Sequence, residues 1–249
     1  HVAAFDTAFH ASLPEAARRY PVPDRWLSEW GVRRYGFHGL SVDWSVRRAA
    51  ELLERRSATL RVIVAHLGGG SSVTAVDGGR SAFTSMGLTP LEGLMMATRS
   101  GSIDPGAIIR VLRAGRSVDD VANDLEQRSG LLGVSGRSGD MRELLEAEAD
   151  GDGRSGLAIE MFVRRAAAGI AVAATALPAV DAIVFTGGIG ENAAPVRERI
   201  VRRLTVLGAG AAEAERDGDA VLAAGPPAVL RVHAREDLVI AHAVADLLA

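Results

Sequence analysis

The stretch 181–192, which reads DAIVFTGGIGEN, constrains the fold of this chain more than any other feature. Its apolar run 182–185 consists of β-forming residues and predicts a buried strand. The glycines within 187–190 then predict a tight turn that leaves the backbone open to a ligand. Asn192 is predicted to cap a helix that begins near Pro195. This order is typical of an α/β fold whose backbone amides face a nucleotide, although an ordinary glycine-rich connection has the same pattern.

Composition excludes several classes of protein. The 249 residues suit one large domain, and 48% hydrophobic residues are enough for a sizeable core. The net charge of −3 comes from 28 basic and 31 acidic residues that are well mixed, so no nucleic-acid partner is expected. No run reaches the ~18–20 consecutive apolar residues of a membrane helix, so no membrane partner is expected either. Cysteine is absent, which excludes disulfides and thiol chemistry and fits a cytoplasmic location.

A second glycine turn lies in the sequence HLGGGSS, residues 66–72. The apolar run 60–65 before it predicts a buried strand, and the runs 73–76 and 82–84 after it predict a hairpin. Amides of such a turn can hold phosphate oxygens, and the alternative is a plain hairpin corner. The turn lacks the lysine of a P-loop. The turn at 187–190 likewise departs from G-x-G-x-x-G, which argues against a Rossmann dinucleotide site.

Three more segments place reactive side chains beside turns. Asp6 follows the run 2–5, predicted to be the tail of a strand, where a turn or cap role is the ordinary alternative. His38 lies between glycines in RRYGFHG, which also suits a plain surface loop, and Ser41 is predicted to cap the helix after it. Arg99 precedes a helix predicted from the Asp-Pro pair at 104–105. Such an arginine suits a bidentate grip on phosphate or carboxylate, or else a structural ion pair.

The segment 155–177 predicts a long, alanine-rich helix that must be buried on most of its sides. We expect it to pack on the sheet or at a subunit interface.

The order of these motifs resembles the acetokinase family, and the resemblance spans almost the whole chain. RRYGFHG, TRSGSIDPG and FTGGIGEN are highly specific in combination. The motifs that carry the resemblance are FDTAFH (5–10), RRYGFHG (33–39), HLGGGSS (66–72), TPLEG (89–93), TRSGSIDPG (98–106), SGRSGDMR (135–142) and FTGGIGEN (185–192).

The resemblance implies an α/β fold of the ribonuclease-H-like, actin-like type, with two lobes and a nucleotide between them. It implies reversible transfer of the γ-phosphoryl group of ATP to acetate, giving acetyl phosphate and ADP, by direct in-line transfer with Mg²⁺. It also implies a homodimer. A carboxylate acceptor has no proton to lose, so this reaction needs alignment and positive groups around the phosphoryl oxygens but no general base.

Roles follow from the resemblance residue by residue. Arg99 matches the arginine that grips the carboxylate and the phosphoryl group, His38 the histidine that stabilises the transition state, and Asp6 the carboxylate near the acyl group and metal. Glu236 matches a metal-associated glutamate over a shorter motif. The positions implied to bind nucleotide are His66, Gly68, Gly69, Gly70, Asp140, Met141, Arg142, Gly187, Gly188, Ile189, Gly190, Glu191 and Asn192.

The chain also departs from the family pattern. Gly69 stands where the family usually has asparagine, which removes one side chain that faces phosphate. The family opens with a strand and a phosphate-binding turn, Asn-x-Gly-Ser-Ser-Ser, that has no counterpart here, and the chain starts with His1 instead of Met.

We therefore expect a partial product, in which 1–237 form the C-terminal nucleotide-binding lobe. Residues 238–249 would form a closing helix that packs on the absent N-terminal lobe.

Two alternatives stay open at this stage. A propionate or butyrate kinase would use the same chemistry, since one methylene changes binding by only ~1–3 kcal/mol. A catalytically incomplete nucleotide-binding and dimerisation lobe would have the same motifs without turnover.

Overall fold

The computed structural model describes residues 2–210 and 218–248. These residues contain a six-stranded mixed sheet with the strand order β3-β2-β1-β4-β6-β5. Strand β4 is parallel to both β1 and β6, and the other neighbouring pairs are antiparallel. The strands are β1 (Arg61–Leu67), β2 (Ser71–Asp77), β3 (Arg80–Thr84), β4 (Ala182–Thr186), β5 (Ala220–Ala223) and β6 (Ala228–Arg231).

Eleven α-helices lie in the described ranges. They are α1 (Glu15–Arg18), α2 (Arg25–Trp30), α3 (Gly39–Leu52), α4 (Pro105–Arg113), α5 (Val118–Gln127), α6 (Gly130–Ser135), α7 (Met141–Ala149), α8 (Gly153–Ala174), α9 (Gly187–Asn192), α10 (Ala194–Arg202) and α11 (Glu236–Leu248).

Helices cover both faces of the sheet, so the central strands are apolar on both sides. Successive side chains of a strand point to opposite faces. In β1, Ile63 and Ala65 belong to a core that includes α8, whereas Val62 and Val64 belong to a second core with α3. Helix α8 packs directly on β1 and β2, and helices α6, α7 and α10 pack against α8.

Several predicted elements are confirmed. The strand of the stretch 181–192, the two hairpin strands and the helix capped by Asp104 all form within a few residues of their predicted bounds. The long helix is confirmed as α8, and it lies on the sheet. The predicted α/β class is therefore confirmed.

Three local predictions are wrong. Residues 2–5 form no strand, and the structure pairs no strand with them in the described ranges. Asn192 does not cap the helix at Pro195, because it ends α9, where its Nδ2 donates to Gly188 O at 2.9 Å. Ser41 does not cap α3, because that helix already begins at Gly39.

None of the helices in the described ranges has the length and apolar character required to cross a membrane.

Candidate active site

Three residues on the adjacent strands β4, β1 and β2 lie side by side at one edge of the site. Strands β1 and β4 are parallel, so their carboxyl ends lie at the same edge, where α/β folds bind ligands. In the register, His66 of β1 lies opposite Thr186 of β4 on one side and Ser72 of β2 on the other. By strand alternation His66 is on the same face as Val62 and Val64, which is the face that α3 covers. Its ring therefore lies between the sheet edge and the start of α3.

His38 reaches the same place through a strained loop. It has left-handed backbone angles, φ 58° and ψ 26°, which are uncommon for a residue other than glycine. Asp6 stabilises this conformation: its Oδ2 accepts from His38 N at 2.6 Å, its Oδ1 from Leu40 N at 3.4 Å, and its backbone oxygen from Gly39 N at 2.9 Å. Asp6 thus satisfies the first amides of α3, the role predicted for Ser41.

The imidazoles of His38 and His66 are stacked, with ring centres 4.0 Å apart and planes inclined by 20°. Each ring has its Nδ1 beside a buried serine: His38 Nδ1 lies 3.0 Å from Ser72 Oγ, and His66 Nδ1 lies 2.8 Å from Ser41 Oγ. The Nε2 atoms of the two rings are left to face the glycine turns.

The surroundings keep both rings neutral near pH 7. Burial lowers the pKa of His66 to about 3, and the neighbouring His38 contributes to the decrease. Burial also lowers the pKa of His38; the charge of Asp6 opposes this decrease, and the charge of Arg99 adds to it. The two imidazoles are therefore suited to act as neutral hydrogen-bonding groups, not as cations.

Arg99 and His38 converge on the glycine turn after β1. A Cβ added at Gly70 would lie 3.2 Å from His38 Nε2 and 3.6 Å from Arg99 Nη1. Arg99 Nη1 donates to Pro90 O at 3.3 Å, and Arg99 forms no ion pair within the described residues. The structural ion pair considered from the sequence is thus not formed, and most donors of the guanidinium are left for an anion.

A cleft of about 750 Å³ opens beside this cluster. Eight of the positions predicted to bind nucleotide line it, although they lie far apart in the chain. Asp140 caps α7 by accepting from Arg142 N at 2.8 Å, and it also pairs with the Arg142 guanidinium. The lining consists of Gly68, Gly69, Gly139, Asp140, Met141, Arg142, Leu145, Gly188, Ile189, Asn192, Ala193 and Pro195.

Five predicted positions do not line the cleft, and one of them is His66, whose ring stacks on His38. Gly187 and Gly190 are buried against β1, and Gly70 faces His38 and Arg99. Glu191 points away from the cleft: its Oε1 accepts from Gly187 N at 2.9 Å and from Ala234 N at 3.0 Å. Backbone packing thus explains the positions of Gly187 and Gly190, and the hydrogen bonds to Gly187 and Ala234 explain that of Glu191.

The hydrogen bonds of Glu191 to Gly187 and Ala234 bring the start of α11 to the site. Ala234 is two residues before Glu236, the first residue of α11, and Trp44 Nε1 of α3 donates to His233 O at 2.9 Å. Burial raises the pKa of Glu236, and the negative charge of Asp6 raises it further. The two carboxylates are thus close enough to interact. No group of three or more histidine or acidic side chains suited to a metal occurs within the described residues.

Sequence reasoning missed the two serines of the site. The sequence pattern predicts a cap at Ser41 and a glycine turn that includes Ser72. A signal for Ser72 was present, because it lies six residues after His66 across a tight hairpin and so opposes it. For Ser41, 25 residues from its histidine, the sequence contains no comparable signal.

Known proteins match this chain over almost its whole length. Residues 1–242 match the sequence model of the acetokinase family. The acetate kinase of a Synechococcus strain is 50% identical over an alignment 252 residues long, which covers 99% of this chain and 62% of that protein. The crystal structure of the Porphyromonas gingivalis acetate kinase superimposes with a TM-score of 0.93 at 36% identity, over 98% of this chain and 63% of the other.

A propionate kinase from Francisella tularensis is also similar. Its crystal structure gives a TM-score of 0.85 at 39% identity, over 95% of this chain and 62% of the other. The chain thus spans about three fifths of the length of the proteins that it matches.

Proposed function

The chain belongs to the acetokinase family, and from this premise we propose that its protein is an acetate kinase. The reaction is reversible transfer of the γ-phosphoryl group of ATP to acetate, which gives acetyl phosphate and ADP. The observation that carries the proposal is the convergence of Arg99 and His38 at Gly70, directly beside the 750 Å³ cleft.

Each group has a role that suits phosphoryl transfer. The transition state spreads negative charge over the equatorial oxygens of the phosphoryl group, and the acceptor carboxylate is itself an anion. Arg99, without an acidic partner in the described residues, lowers the repulsion between the two anions by lying between them. His38, neutral and left with Nε2 toward Gly70, donates a hydrogen bond to a phosphoryl oxygen. No side chain has to remove a proton, because the attacking oxygen carries none.

The cleft is proposed to hold the nucleoside part of ATP or ADP. Met141, Leu145 and Ile189 offer apolar surface to a base, while Asp140 and Asn192 offer polar groups at the cleft wall. Gly68 and Gly69 lie at the end nearest to His38 and Arg99, where the phosphates would extend.

A magnesium site fits the residues at the edge of this cluster. Mg²⁺ keeps several waters and binds through one or two carboxylates together with substrate phosphates, so it needs no cage of three protein ligands. Asp6 and Glu236 are two such carboxylates. Burial raises the pKa of Glu236, the negative charge of Asp6 raises it further, and a bound cation would offset that charge. When bound, the ion supplies positive charge to the phosphate oxygens.

We propose a homodimer in the cytoplasm, as the family resemblance implies. We further propose that residues 1–237 form the nucleotide-binding lobe and that residues 238–249, among which Ile240, Leu247 and Leu248 are exposed, pack on another lobe.

Propionate is the second candidate acceptor, supported by the similarity to the Francisella tularensis propionate kinase. Butyrate would be the next larger acid of the same class. A third possibility is a nucleotide-binding and dimerisation lobe without turnover. It is supported by Gly69, which offers no side chain to a phosphate group.

Trapping of the acyl phosphate by hydroxylamine tests these possibilities. The chain is incubated with Mg-ATP and acetate, propionate or butyrate, and the hydroxamate is measured. We expect product with acetate above the other acids, and a loss of roughly 100-fold or more in Arg99→Ala, since removal of such a charge clamp costs ~3 kcal/mol. Arg110→Ala, an exposed arginine on α4, is the matched control. A preference for propionate would make the enzyme a propionate kinase. ADP binding without product from any acid would leave the isolated lobe as the function of this chain.

A further inference from the structure

Ser41 contacts the site in a way that its position on α3 does not require. Its side chain is fully buried, and its Oγ lies 2.8 Å from His66 Nδ1. The Asp6 carboxylate already accepts from the amides of His38 and Leu40 at the start of α3, so the hydroxyl is not needed as a cap for them. Its contact with the imidazole is the only hydrogen bond of the Ser41 side chain within the described residues.

The hydroxyl proton of Ser41 has one available acceptor. A serine inside a helix can donate to the carbonyl four residues earlier, here Phe37 O, but Ser41 forms no such hydrogen bond within the described residues, where its Oγ contacts His66 Nδ1 alone. If His66 carried its proton on Nδ1, the serine hydroxyl would be buried without an acceptor. Such a loss disfavours this arrangement by roughly 5- to 150-fold. The hydroxyl therefore donates to Nδ1, and the single proton of the neutral ring is on Nε2.

His66 Nε2 faces the gap between the two glycine turns. It lies 3.1 Å from the place of a Cβ at Gly187 and 4.0 Å from that at Gly68, and Gly188 N lies 3.5 Å from the latter. Only the absence of side chains at these glycines keeps the gap open. Burial holds the ring neutral, with a pKa of about 3, so this N–H is its one donor at neutral pH.

We propose that Ser41 is a positioning residue that fixes the proton of His66 on Nε2, so that the ring donates a hydrogen bond to a nucleotide phosphate oxygen in the gap. The phosphate part of this inference rests on the proposed function, whereas the position of the proton does not. With the Nδ1–H tautomer, a lone pair on Nε2 would face the phosphate and repel it.

Nuclear magnetic resonance of the chain labelled with ¹⁵N at histidine tests the proton position without any nucleotide. We expect His66 to have a protonated Nε2 and an unprotonated Nδ1. In Ser41→Ala, where nothing holds the proton, we expect a mixture of the two tautomers.

Ser45→Ala is the matched control, because Ser45 is also fully buried on α3 but its hydroxyl has no hydrogen-bond partner in the described residues. Its spectrum should equal that of the wild type. A wild-type His66 protonated on Nδ1, or an unchanged tautomer in Ser41→Ala, would overturn the proposal.

Calorimetric titration tests the phosphate contact. We expect Ser41→Ala to weaken ADP binding by about 5-fold or more while adenosine binding changes less than 2-fold, and Ser45→Ala to change neither. Equal losses for ADP and adenosine would mean that Ser41 only supports the fold. If the wild type binds no ADP, the proposed function fails, and the spectrum alone decides the role of Ser41.

Discussion

Replacement of Gly187 by alanine tests whether the turn after β4 requires glycine. Gly187 has φ +77°, a conformation that costs an L-residue ~1–2 kcal/mol. An added Cβ would lie 2.8 Å from Leu67 O and 3.1 Å from two atoms of the His66 ring. The oxygen belongs to the last residue of β1 and cannot move without the strand, so relief of this contact adds ~1–3 kcal/mol. We therefore expect Gly187→Ala to lower the free energy of unfolding by ~2–5 kcal/mol.

The next residue provides the control. A Cβ at Gly188 would meet nothing within 4 Å, and its φ is not positive. Because Gly188 lies in α9, alanine there should leave the stability unchanged or raise it by up to ~1 kcal/mol. Urea denaturation followed by circular dichroism gives both values, and the m-values must agree if the same surface is exposed on unfolding.

One result would refute this reasoning. If Gly187→Ala and Gly188→Ala unfold at the same urea concentration with equal m-values, the turn accommodates a Cβ without strain. The close approach of Leu67 O to the turn would then have no energetic consequence.

Three further outcomes are expected. As the pH falls from about 6.5 toward 3, folded His66 stays neutral while the same histidine binds a proton in the unfolded chain. The free energy of unfolding should therefore decrease by ~1.4 kcal/mol per pH unit from this group. Urea titrations at several pH values should give a steeper dependence of this free energy on pH for the wild type than for His66→Gln. Asp181→Ala removes a carboxylate that accepts from Arg61 N and Nε at 2.8 and 2.9 Å, and should cost ~2 kcal/mol, against no change in exposed Glu126→Ala. Gly69→Asn has open space, so stability should change by under ~0.5 kcal/mol while calorimetry shows tighter ADP binding.

The sequence by itself determined the elements whose signals are local. The apolar run in the stretch 181–192 predicts β4, the Asp-Pro pair at 104–105 predicts the start of α4, and the alanine-rich segment 155–177 predicts α8. Strand alternation and helix capping depend on residues a few positions apart, so a single sequence is sufficient to recognise them. The family motifs added the positions that line the cleft, but without their geometry.

Only the tertiary structure decided which side chains meet. Asp6 replaced Ser41 as the cap of α3, because the loop before the helix folds back onto Asp6 over 32 residues of separation. Ser41 was thereby free to bind His66, and Glu191 to join the glycine turn to the start of α11. Such hydrogen bonds depend on the register of the sheet and on the packing of α3 over it. Residues far apart in the chain determine this register and this packing, so no local sequence pattern predicts the hydrogen bonds.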